Sequence, residues 1–430
     1  MSLFFDFFLI ILATIIVVRS TRLIVRYASQ SLSDYAILLL YIFQIIPVIC
    51  DLIFGIPVYK SWYSGFTNSM SNDSVCILYD VYVGMLFLGL FRVSKTAKVN
   101  ERVIDCKFDY VCDDSRSIWA SAQKIPSSIL ILVTISPLVH TFITGNAAKM
   151  IVYGSFNSRG LSSSFTAINS FLIILSILAL MTWYFKKESS VLRVLVFCLL
   201  SLLIIWINGK RYVIITIMFS YLYIYVMERK NKRKKTNIKV MISMMAIVVI
   251  LFSVYYITSV KILSDGSFAE TYASLRIDFG RDDVVKYVLW KEFFQGEHIL
   301  DYPFQSVLST IFMIIPRSIY PTKGYPHYRY LTASLYNTTV LDIPAGMTPS
   351  LLEMMIANFR ILGIPICILF LCWYCKKADR ARTNWQRYCY AMVLMGMLSQ
   401  SLDSMILLFY MVLFFLFFGK YRFVFGSGSR

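Results

Sequence analysis

Residues 165–185 read FTAINSFLIILSILALMTWYF, without one charged side chain, and Lys186 and Lys187 follow at once. The hydrocarbon core of a bilayer is crossed by a helix of about 20 apolar residues. Lysines at the end of such a run carry their stems along the lipid and their charges to the headgroups. A helix apolar on every side has no face left for water. The segment is therefore a membrane span, and it sets the terms on which the rest of the chain is read.

Comparable runs lie on both sides of it, at about 3–18, 34–57, 75–91, 126–145, 191–208, 212–227, 238–260, 351–374, 387–401 and 404–419. Some are short for a full crossing and need tilt or a thinner bilayer. The composition agrees: 58% of the 430 residues are hydrophobic and only 15% are charged, against about 25% charged in soluble domains. With a mean hydropathy of +0.66, an ordinary cytosolic enzyme and a disordered chain are excluded. The nine cysteines are scattered: the one CxxC spacing, Cys372-Trp373-Tyr374-Cys375, stands at the end of an apolar run with no second pair and no histidine beside it, so neither a disulfide framework nor zinc is indicated. The fold class expected is an all-α polytopic membrane protein. It has about eleven transmembrane helices and one large outer (periplasmic) loop containing short interfacial helices. Helices 1–8 fall in 1–260, the loop in 261–350, and helices 9–11 in 351–425. Gly426 to Arg430 read as an appended tail.

Charge sets the orientation. Of the 42 basic residues, 28 lie in the segments 19–33, 92–125, 186–193, 228–239, 375–387 and the tail from 420, against 13 in the alternate segments 58–74, 146–164, 209–211 and 261–350. Lysine and arginine gather on the cytoplasmic side, which puts the first set inside and the amino terminus outside. The net charge of +18 is thus a topology signal beside anionic lipid, and no nucleic acid is implied.

The segment 261–350 stands apart by its length. Long loops in compact proteins carry function or are disordered, and this one is rich in Tyr, Phe and Leu, which argues against disorder. Phe304–Ile315 is too short to span and suits the interface. Four polar clusters are candidate sites, each with a plainer alternative. Asn208-Gly209-Lys210-Arg211 is a tight outer turn that places two cations at the lipid surface; it clamps a lipid-borne phosphate or merely snorkels. In Arg276-Ile277-Asp278-Phe279-Gly280-Arg281-Asp282-Asp283 the signs alternate, as at a salt-bridged helix end, yet two arginines stand on the outer face. In Ile315 to His327, prolines fix the backbone around Arg317, Lys323 and His327, which lowers the entropy lost on gripping a ligand; a rigid surface hairpin is the alternative. In Thr348-Pro349-Ser350-Leu351-Leu352-Glu353 a helix begins, and Glu353, Asn358 and Arg360 follow along it as ligands or as an internal ion pair. No Walker loop, GxGxxG or HExxH occurs, and no Asp-x-Asp lies in an outer segment, so neither a metal nor another cofactor is expected.

The layout with one large late outer loop, the Gly209-Lys210-Arg211 turn, Ile315-Pro316-Arg317 with Tyr320-Pro321 and Lys323, and Thr348-Pro349-Ser350-Leu351-Leu352-Glu353 with Asn358-Phe359 and Leu362-Gly363 together resemble the Wzy-type O-antigen polymerases. Leu352 and Arg360 depart from the family pattern around the glutamate and the Asn-Phe pair. The resemblance implies a metal-independent, GT-C-like glycosyltransferase of the bacterial inner membrane. Its donor and acceptor are oligosaccharides on undecaprenyl pyrophosphate, its partners membrane lipid and a chain-length-regulating co-polymerase. It also implies Arg211, Arg276, Arg281 and Arg317 on the leaving diphosphate, with Lys210, Lys323, Asn358 and Arg360 assisting. Glu353 is the expected general base, with Asp278 and His327 in reserve. A ligase sharing the architecture and a flippase for the same lipid-linked sugar are the alternatives.

Overall fold

The computed structural model describes residues 2–107, 125–147, 163–186, 191–208, 212–232, 268–343, 346–381, 383–400 and 402–418. All regular structure among them is helical: α1 (Ser2–Tyr27), α2 (Leu32–Phe54), α3 (Ser64–Met70), α4 (Asp73–Lys107), α5 (Ser127–Thr134), α6 (Ser136–Ile143), α7 (Ser163–Phe185), α8 (Val191–Asn208), α9 (Tyr212–Lys232), α10 (Phe268–Phe279), α11 (Asp282–Leu289), α12 (Gln305–Ile311), α13 (His327–Tyr336), α14 (Leu351–Phe359), α15 (Gly363–Asp379), α16 (Asn384–Ser399) and α17 (Ile406–Phe418). Five candidate spans are long and apolar enough to cross a membrane: Ser2–Tyr27, Leu32–Phe54, Asp73–Thr96, Ile168–Phe185 and Leu351–Asp379. Leu192–Ile207, Tyr212–Met227 and Ile406–Phe417 are apolar but shorter. The run at 238–260 and the Lys210-Arg211 turn lie outside the described residues.

Prolines decide where the apolar runs break. The run at 126–145 is two short helices, because Pro137 stands in the first turn of α6 and cannot continue α5. In α2 the ladder shifts to a π turn over Tyr41–Ile45 just before Pro47. Pro47 has no N–H to give the Phe43 carbonyl, and that carbonyl accepts the backbone N–H of Arg281 instead (3.2 Å). Between α14 and α15 the chain turns at Arg360, whose φ of 53° is left-handed. Helix α15 then starts at Gly363, where a Cβ would stand 2.4 Å from the Met355 carbonyl oxygen.

The chain forms two compact units. In the first, α1 and α4 lie side by side and run the same way. Ser2 Oγ donates to Asp73 Oδ1 (2.8 Å) at one end, and the Arg19 guanidinium stacks 4.4 Å from the Phe91 ring centroid nearer the other. Antiparallel α2 and the final span fill out the bundle. At the second end Asp379 caps α2: its Oδ1 accepts the Leu32 N–H (2.7 Å) and its Oδ2 the Ser31 hydroxyl (2.8 Å). That end carries Arg19, Arg22, Arg26, Arg92, Lys95, Lys376 and Lys377, while α10 packs on Phe54 at the opposite end. One face of α1, with Leu9, Ala13 and Ile16, is buried in the bundle. The other presents Phe4, Phe8, Ile11 and Ile15, the most exposed of them at 72%. A helix apolar on its outer face as well as its inner one suits lipid rather than water. Small residues let the helices meet closely: a Cβ on Gly89 of α4 would lie 3.1 Å from Cys372 Sγ.

In the second unit α7 packs on α5, α6 and α8. Phe165 and Ile207 form its buried contact with Leu138 and Leu203, and the Ser176 hydroxyl donates to the Thr134 carbonyl.

Candidate functional site

Two centres hold most of the polar side chains singled out above, both in the first unit. The inner one is built on Arg276, in the last turn of α10 and 4% exposed. Its guanidinium makes two bidentate forks. Nε and Nη2 donate to Asp51 Oδ1 and Oδ2 (2.9 and 2.8 Å), and Nη1 and Nη2 donate to Asp282 Oδ1 and Oδ2 (2.8 and 2.9 Å). Tyr272 adds a hydroxyl to Asp51 Oδ1 (2.5 Å). Lys286, one turn along α11, reaches Asp282 Oδ2 (3.3 Å) and lies over the Tyr79 ring, while Tyr59 donates to Asp283 Oδ2 (3.0 Å). Gly280 makes the turn between α10 and α11 possible: a Cβ there would meet Arg276 Nη1 at 2.0 Å.

The electrostatics follow from burial and pairing. Burial alone would push the Asp282 carboxyl up, but Arg276 and Lys286 overcome it and hold it below the ordinary carboxylate range. Burial would lower Lys286, and Asp282 more than offsets it, so the ammonium is held above its usual value. Asp283 lacks such a fork and is pushed up to about 6 by burial, against Arg276 and with Asp282. Arg281 is equally internal. It sends Nε to the Ser399 carbonyl (3.1 Å) and Nη1 to the Gly280 carbonyl (2.6 Å). Asp278 is half-buried at the end of α10. Arg276 and Arg281 thus stand in the interior, not at the lipid surface where the sequence reading put them, and their donors go to protein acceptors. The salt-bridged alternative describes this cluster better, with the difference that it is buried.

The outer centre is built on Tyr325. The Arg317 guanidinium lies 3.9 Å and that of Arg329 5.3 Å from its ring centroid. Arg317 is exposed and gives Nη2 to the Gly324 carbonyl (3.1 Å), which also accepts from Ser309 (3.0 Å). Lys323 ties the hairpin through the Ile315 and Met313 carbonyls (2.6 and 3.3 Å). Partial burial and then the neighbouring Arg317 hold the Lys323 ammonium below its usual value. The centre is anchored on the last span through Asn358, whose Nδ2 donates to Ser306 Oγ (2.6 Å) and to the Met354 carbonyl (2.6 Å). Phe304 meets Phe359 edge-on with centroids 4.5 Å apart. Here the expectation of an interfacial stretch at 304–315 corresponds to α12 and the turn after it, with Leu308, Ile311, Phe312 and Ile314 exposed.

The remaining candidates have other surroundings. Glu353 is fully buried in a capping box at the start of α14, its two oxygens taken by the Ser350 N–H and hydroxyl. In this arrangement it fixes a helix start and faces no substrate space. His327 is 2% exposed, neither ring nitrogen has a partner, and burial pushes it down to about 4, so it is a neutral imidazole. Arg360 is exposed on the break between α14 and α15. The sequence reading missed Asp51, Lys286, Tyr325 and Arg329. Asp51 carried a signal, since a charge inside an apolar run has a partner or a task; Lys286, Tyr325 and Arg329 looked like ordinary loop residues. No cluster of three or more metal-ligating side chains occurs among the described residues. Comparison with family models, with curated proteins and with solved structures gives no match to this chain.

Proposed function

We propose that the chain is a glycosyltransferase of the bacterial inner membrane that joins repeat units carried on undecaprenyl pyrophosphate, at the outer face and without a metal ion. The observation that carries this reading is the outer centre. Arg317, Arg329 and Lys323 gather around one exposed tyrosine-bearing turn, on a segment that returns to a candidate span through Asn358 and Phe359. Guanidinium forks suit the oxygens of a diphosphate, and an aromatic ring suits the face of a sugar. As the glycosidic bond to the phosphate breaks, negative charge grows on the leaving group, and fixed cations there stabilise the transition state. The placement supports the same side for the chemistry: the basic end of the first unit is the end away from this segment, as expected if that end faces the cytoplasm. In this reading the apolar runs complete about eleven spans and residues 261–350 face the periplasm. Arg276 and Arg281 support the site through the fold, not by contact with substrate.

Purified protein in lipid vesicles, supplied with one defined lipid-linked repeat unit, tests the reading. A ladder of longer products that survives EDTA is expected. Arg317→Ala should lower the rate about 10²–10³-fold, with stability within about 0.5 kcal/mol of the parent because the side chain is exposed. Normal chain growth by the variant removes Arg317 from the site. A substrate that stays unextended but crosses the vesicle wall identifies a transporter instead.

A further inference from the structure

Asp6 lies one turn past Ser2 on α1, and Asp80 two turns past Asp73 on α4. Because the two helices run the same way from the Ser2–Asp73 contact, the two aspartates meet inside the first turns of two candidate spans. Asp80 is 4% exposed, and no donor reaches either of its carboxylate oxygens. The group it faces is the half-buried carboxyl of Asp6. Carboxylate oxygens only accept, so two such groups hydrogen-bond to each other only with a proton between them.

The surroundings point the same way. Lys286 and Asp282 come from α11, Asp51 from α2, and Cys76 and Tyr79 from α4 itself. Gly84, one turn further along α4, packs against Leu9 and Leu12 and brings no polar group. Among the described residues of this network the half-buried Asp6 and Asp51 and the buried Asp80, Asp282 and Asp283 face Arg276, Arg281 and Lys286, so acids outnumber bases by two. An uncompensated buried charge costs several kcal/mol, and the interior relieves it by binding protons. Asp283 takes one. Lys286, already fixed on Asp282, cannot also neutralise the pair. A metal ion in place of the proton finds no third ligand, since no such cluster exists among the described residues.

We propose that Asp6 and Asp80 form a proton-binding site in the membrane domain, a carboxyl pair holding one shared proton beside the Lys286–Asp282 ion pair. Loss of that proton places a negative charge near Lys286 in competition with Asp282, so occupancy of the site governs how α11 is seated on α4. Intramembrane carboxyl groups of this kind mark proton pathways. The site is independent of the glycosyl-transfer reading and needs no substrate to be observed.

Infrared spectroscopy of the full chain in lipid tests it, because a protonated carboxyl in apolar surroundings gives a carbonyl stretching band well separated from that of a carboxylate and sensitive to D2O. The measurement is made at about pH 8, where an ordinary carboxyl is ionised and Asp283, which titrates near 6, contributes little. The wild-type-minus-variant difference spectrum should show the band for both Asp6→Asn and Asp80→Asn. Asp6 is only half-buried, so its variant folds and reads out even if the Asp80 substitution does not. A difference spectrum of Asp6→Asn without the band overturns the proposal, as does a wild-type band that both variants retain.

Discussion

A methyl group on residue 280 would occupy the place of the Arg276 guanidinium, and the consequence is measurable. Gly280→Ala should push Arg276 off one or both of its carboxylate forks and cost about 3 kcal/mol, the low end for breaking a buried ion pair. Denaturant unfolding in detergent micelles checks this; a loss below about 0.5 kcal/mol, the range of an ordinary surface change, means the forks re-form around the methyl group. At this scale the sequence was half legible. The alternating charges from Arg276 to Asp283 announce ion pairing, but nothing local announces Asp51, which lies 225 positions earlier. Arg317 and Lys323 were legible because prolines bracket them. Tyr325 was not, since its role comes from two arginines that approach only once the hairpin has closed.

Helix starts and stops follow chemistry that is written locally, so elements were the most legible level. The sequence places the start near Pro349 with Thr348 as its cap; the cap is Ser350 instead, two residues on, and with Glu353 it closes a capping box. A glutamine completes the same box, so Glu353→Gln should leave stability and chain growth near the parent's, whereas Ser350→Ala should cost about 1 kcal/mol. A Gln variant that folds but makes no polymer returns Glu353 to the role of general base. Ten of the eleven expected apolar runs coincide with described helices, in one piece or broken at a proline or glycine. What periodicity could not supply was the interior of the long segment. Its helices α10 and α11 are held by buried ion pairs, and a hydrophobic count has no term for those.

For the whole molecule, the side on which the chemistry takes place depends on which way the bundle faces. Ile319 is 75% exposed in the outer hairpin. Ile319→Cys should be labelled by a membrane-impermeant maleimide added to intact spheroplasts, above the background of the native cysteines. Labelling that appears only after permeabilisation places the hairpin in the cytoplasm and removes lipid-linked donors of the outer leaflet as substrates. Within the first unit α1 and α4 run the same way and α2 runs against them, the alternation that the lysine and arginine bias expects. The grouping into two units was not, because each unit draws on distant stretches of the chain.

The double fork on Arg276 also bears on how the protein is made. Asp51 leaves the ribosome 225 residues ahead of its counter-ion, a delay of about 10–45 s at ordinary rates of translation. During that interval α2 must wait at the translocon with an acidic residue near its end and without Arg276 to answer it. Its final depth is therefore set late, when the arriving segment docks, and a nascent chain stalled before residue 276 would be the form most exposed to quality-control proteases.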